Sequence, residues 1–183
     1  MEFSNEQKLI ITLLTDIHAK LDIKNSVDPL FVQRMVNDDQ AWALGWAYPG
    51  IYENVETPQN VRLVADILEM WEVLEREFSA LSVEQKQRLE ELAPVFGGDV
   101  TFHGFDGNSE YRERSIARIL VNDLGRWTRF EGRDLNSHMP SIEGYQRMLQ
   151  AFENLPEQAK YERSLSVEEI ASVVNERTHP SNR

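Results

Sequence analysis

Five helix-start signals, each followed by apolar residues at helical spacing, leave this 183-residue chain little room for anything but helices. Ser4 with Gln7, Ser82 with Gln85 and Ser166 with Glu169 are capping boxes, in which the hydroxyl accepts from the N3 amide and the N3 side chain reaches back. Asp28-Pro29 and Thr57-Pro58 set a capping oxygen before a proline whose fixed φ suits the first helical position. Leu9, Ile10, Leu13, Leu14, Ile17 and Leu21 follow the first signal. Phe31, Met35 and Val36 follow the second, and a further piece with Trp42 and Trp46 should end before Pro49-Gly50. The longest helix should run to about Ser79, with Val61, Val64, Ile67, Leu68, Trp71, Leu74 and Phe78 on its apolar side. A short charged helix to Leu92 precedes a break at Pro94 and Gly97-Gly98.

Val100-Thr101-Phe102 is the one strand-like run, and three residues do not make a sheet. Asn108 or Ser109 is expected to cap a helix to about Phe130, buried along Ile116, Leu120, Leu124 and Trp127. Another helix follows Pro140, carrying Ile142, Tyr145, Met148, Leu149 and Phe152, and Ile170, Val173 and Val174 follow the last box. No repeat, heptad array or low-complexity tract interrupts this pattern. The expectation is an all-α, multihelical single domain over 1–177, of seven or eight helices joined by short loops. If it divides, it divides near 92–100, and 178–183 form a frayed tail.

Composition narrows the function classes. At 41% hydrophobic and 27% charged the chain can bury a full core without staples. There is no cysteine, which excludes disulfides, thiolate catalysis and Cys-ligated zinc. The acidic start lacks the basic and apolar regions of a signal peptide. The longest uncharged run, Gln40 to Tyr52, falls far short of the roughly 20 residues a membrane helix needs. A cytoplasmic protein with no membrane partner is expected. A net charge of −12 repels phosphate backbones and opposes nucleic-acid binding. Nucleotide-cradling, zincin, serine-hydrolase and EF-hand motifs are all missing, so no cofactor is expected.

Candidate site residues lie in two polar loops and the helix between them. The first loop holds His103 and Asp106; the second holds Arg133, Asp134, Asn136 and His138. HxxD and DxxxH are weak metal spacings, and ordinary loop hydrogen bonding competes with them, so no metal site is assigned. Asp106 can close an Asx turn, Gly107 can take positive φ and Asn108 can cap the helix without any ligand. His18 and His179 suggest no site. Arg118, Asn122, Arg126 and Arg129 form one polar stripe, with Asp123 placed to pair with Arg126. Such a stripe serves either an ion-pair network or bidentate contacts to an anionic small molecule. Arg126 is expected to fasten its helix to the Gly132–His138 turn beside a buried Trp127.

Two functions fit. The leading one is a non-enzymatic interaction module that forms a homo-oligomer, since catalytic motifs are missing and the chain carries four Trp. In this view Trp42, Trp46, Tyr48 and Tyr52 serve core or interface. The alternative is a hydrolase or binding protein for an anionic small molecule or phosphodiester. There His103 or His138 would move protons, Asp106 or Asp134 would orient them, and Arg126 and Arg133 would bind the anion. It requires the two loops to meet, although a helix of roughly 20 residues, about 30 Å long, should separate them.

Several segments, in order, resemble the YfbU-like family of uncharacterised bacterial proteins. They are the start Met1-Glu2-Phe3-Ser4-Asn5-Glu6-Gln7-Lys8-Leu9-Ile10, then Asp66-Ile67-Leu68-Glu69-Met70 and Gly104-Phe105-Asp106. Val121-Asn122-Asp123-Leu124-Gly125-Arg126 with Phe130, Asn136-Ser137 and Tyr145-Gln146-Arg147-Met148-Leu149 continue the likeness. The resemblance implies an all-helical, intracellular bacterial protein and no particular reaction or catalytic residue.

Overall fold

The structure, a computed structural model, describes residues 3–51, 56–158 and 164–182. Met1, Glu2, Tyr52 and Arg183 of the sequence reading lie outside the described residues. Among the described residues there are eight α-helices and no strand. They are α1 (Asn5–Leu21), α2 (Pro29–Asn37), α3 (Trp42–Ala47), α4 (Gln59–Ala80), α5 (Val83–Leu92), α6 (Tyr111–Arg118), α7 (Ile142–Glu153) and α8 (Val167–Asn175). The fold is all-α.

The three capping boxes form with both reciprocal bonds, and Asp28 accepts from the amides of Leu30 and Phe31. Thr57 does not cap. Pro58 holds that position, while the Thr57 hydroxyl accepts from Trp46 Nε1 at 3.2 Å. Thr57 thus ties α3 to the start of α4.

α4 is the centre of the fold. Val61, Val64, Ile67, Leu68, Trp71 and Leu74 are buried along it, and α6 and α7 pack against it. α8 covers α5 and α7. Trp71, Phe102, Phe105, Phe130 and Tyr145 form one aromatic cluster, with neighbouring ring centroids 5.2 to 6.0 Å apart. Burying rings of this size dominates the energetics of such a core.

Residues 99–141 are mostly irregular, and buried carboxylates anchor them. Glu75 of α4 accepts from the Phe102 amide at 2.7 Å and from both terminal nitrogens of Arg133 at 2.7 and 2.8 Å. Glu110 accepts from the amides of Asp106, Ser141 and Ile142 at 2.9, 2.7 and 2.8 Å. Glu77 takes the Leu165 amide at 3.2 Å. Buried amides outside helices need acceptors, and here side chains supply what a sheet otherwise would.

The expected long helix over 109–130 is shorter and broken. Glu110, not Asn108 or Ser109, stands before its first residue. After Arg118 the coil widens into a π turn over Ile119–Asp123, with Leu124 N to Ile119 O at 2.9 Å. Gly125 (φ 61°) and Trp127 (φ 47°) reverse the chain, and a 3₁₀ turn, Thr128–Phe130, follows. A residue at positive φ cannot continue a right-handed helix, and glycine adopts it without steric cost.

α1 is turned inside out relative to the rest. Its inward face is Lys8, Ile11, Thr12, Thr15 and His18, against α2. Gln33 of α2 donates to Thr15 Oγ1 at 3.2 Å, and Lys8 reaches Asp39 at 2.7 Å. Leu9, Ile10, Leu13, Leu14, Ile17 and Leu21, on the opposite face, are each 55% to 66% exposed.

Candidate functional site

The two polar loops do meet. Because the chain reverses at Gly125, the second loop folds back and Phe105 pairs with Asn136 in a single parallel bridge. The Phe105 amide donates to Leu135 O, and the Ser137 amide to Phe105 O, both at 3.2 Å. Gly104 makes the approach possible. It holds φ 90°, and a Cβ there would sit 2.1 Å from the Leu135 carbonyl. The positive φ assigned to Gly107 therefore belongs to Gly104; Gly107 lies instead against the Asn136 amide.

Meeting occupies most of the loops' polar groups. Asp106 closes the expected Asx turn, accepting from Asn108 N, Ser109 N and the Ser109 hydroxyl at 3.3, 3.1 and 2.6 Å. The Ser109 hydroxyl, foremost, holds the Asp106 carboxyl below the usual aspartate range. Asn136 Oδ1 accepts from Gly107 N and His138 N. Asp134 takes Arg114 at 2.6 Å, and Arg133 is clamped on Glu75. His103 stands 3.5 Å from Asp99, not from Asp106. Of the six, Asp106, Asn136 and His138 lie at the junction, while His103 turns to Asp99, Arg133 to Glu75 and Asp134 to Arg114. Among the described residues no three His, Asp or Glu converge as metal ligands.

The Arg stripe separates into different roles. Arg126 is exposed, with its guanidinium 5.2 Å from the centre of the Trp46 ring. Asp123, its expected partner, instead pairs with Arg34 of α2 at 2.6 Å. The π turn sets Asp123 toward α2. Trp127 is half-buried rather than buried, and its Nε1 donates to Glu69 at 2.9 Å. The fastener to the second loop is Arg133. Arg118 and Asn122 line a cleft of about 470 Å³ between α2 and α6. Arg34, Arg114, Ser115 and Tyr111 share its walls. The Arg34–Asp123 pair divides it from a second cleft of about 550 Å³ bounded by Phe31, Ala47 and Tyr48.

The whole length from residue 1 to residue 176 matches the YfbU domain. The chain belongs to the YfbU family. Its Gly104-Phe105-Asp106 and Asn136-Ser137 segments, which carried the resemblance, are the two halves of the loop junction.

Two surfaces of this YfbU domain thus stand out, the α1 stripe and the Arg cleft. Sequence reasoning found Arg118 and Asn122 but missed Arg34, 89 residues before Asp123. No local spacing links residues that far apart. Arg114 lies one turn before Arg118 on the same stripe, and the sequence reading began that stripe one turn too late. Among the described residues no helix is long and apolar enough to cross a membrane.

Proposed function

We propose that this protein is a non-enzymatic interaction module that self-associates through α1. The observation that carries it is the direction of the α1 stripe. Six large aliphatic residues point to water while threonines, a lysine and a histidine point to α2. A lone chain gains nothing from that orientation, because exposed apolar area is unfavourable at about 25 cal/mol per Å². These six residues together present on the order of 600 Å², and a standard interface takes roughly 800 Å² from each partner once its polar rim is counted.

A second copy of the same helix fits the stripe. Ile10, Leu14, Ile17 and Leu21 step by four, three and four, the spacing of an interhelical seam. An antiparallel copy centred between Leu14 and Ile17 sets Ile10 of one chain opposite Leu21 of the other and Leu14 opposite Ile17. That pairing is isologous and closes as a dimer.

Light scattering behind a sizing column tests the proposal. The wild type should run as a dimer or larger at micromolar concentration. Leu14→Glu, with a charge at the middle of the seam, should run as a monomer with unchanged helical content. A wild-type monomer at tens of micromolar would refute it.

A further inference from the structure

We propose that the cleft between α2 and the α6 π turn binds a phosphate-bearing small molecule. Its lining carries three guanidinium groups, Arg34, Arg114 and Arg118, against two carboxylates, Asp38 and Asp123. With Asp134 on Arg114 the charges here balance, in a chain of net charge −12 that is elsewhere strongly negative. Arg118 is the one of the three guanidiniums with no carboxylate on it among the described residues.

The donors are only partly used. A guanidinium offers five N–H donors. Arg34 gives one terminal nitrogen to Asp123. Arg114 gives one to Asp134, while its Nε is shut off from solvent with no acceptor among the described residues. Arg118 has no hydrogen bond or ion pair with any described residue, and it faces the same space. What remains for an anion is the second terminal nitrogen of Arg34 and of Arg114 and the whole fork of Arg118. Forked guanidiniums match phosphate oxygens two at a time.

The π turn is the second observation. It breaks the regular coil at Ile119–Asp123 and directs Asn122 and Asp123 to the cleft wall. Such turns are rare and recur at functional positions. Asn122, Ser115 and the exposed Tyr111 offer neutral donors and acceptors beside the cations. At about 470 Å³ the cleft lies within the size range of small-molecule sites. The phosphate would sit on Arg118 and Arg114, with hydroxyl groups of the ligand facing Asn122 and Ser115.

Titration calorimetry with inorganic phosphate at fixed ionic strength tests this. The wild type should bind one phosphate per chain saturably. Arg118→Gln should weaken binding by about tenfold or more, while Arg129→Gln, an exposed change outside the cleft lining, should leave it unaltered. Arg118 is exposed, so its variant should melt with the wild type, and a loss of binding then reports the site rather than the fold. Absence of saturable binding below about 10 mM, or equal weakening in both variants, overturns the proposal.

Discussion

Arg133 and Arg126 sit seven positions apart and differ in what their removal exposes. Arg133→Ala strips the buried Glu75 carboxylate of its bidentate partner, leaving only the Phe102 amide. Because Arg133 is itself one-third exposed, the expected loss is roughly 2–3 kcal/mol, below that of a fully buried pair. Arg126→Ala removes a surface contact with Trp46 and should cost under about 1 kcal/mol. Urea unfolding midpoints of the two variants check the contrast. Asp106 gives a pH dependence of definite sign. Its carboxyl is held low, so the stability it contributes is full above the unfolded value of about 4 and fades as pH falls below that. Asp106→Asn should flatten that acid limb, as read from urea midpoints measured at successive pH values. Gly104→Ala should cost roughly 2–4 kcal/mol, because the methyl would overlap the Leu135 carbonyl at an unfavourable φ. Its melting temperature is the readout.

At the scale of elements, legibility in the sequence followed locality. The capping boxes of α1, α5 and α8 were plain because two residues three positions apart decide each of them. The end of α6 was not plain. Ile116, Leu120, Leu124 and Trp127 keep helical spacing through the π turn and past it, so periodicity carried the helix too far. Gly125, the residue that stops it, is a helix-stop signal, but the apolar spacing that continues to Trp127 outweighed it. The junction of the two loops was hidden for the same reason, since it depends on where the chain turns back. The candidate site was legible only in part: Arg118 and Asn122 stood out and Arg114 continues their four-residue row, while Arg34 needed α2 and α6 to be placed side by side. α1 belongs to this scale as well. It is tied to α2 by a few polar contacts and leaves its apolar face uncovered. Its amides should exchange faster than those of α4 in dilute protein, and slow as concentration rises and the seam fills. Concentration-independent exchange in α1 would count against that seam.

For the whole molecule, the order in which parts can be completed follows from where the anchoring carboxylates lie. Glu75 and Glu77 sit on α4, and their partners come 27, 58 and 88 residues later in the chain. During synthesis at roughly 5–20 residues per second, Glu77 therefore waits about 4–18 s for Leu165 to be made. Through the earlier part of that interval α4 can be helical, yet Trp71 stays uncovered until Phe102 and Tyr145 have been made. The α1–α2 hairpin, whose contacts are near in sequence, can be finished before any of this begins. A nascent chain would then offer its self-association helix to a neighbour while its own core is still open, so assembly can start on the ribosome rather than after release.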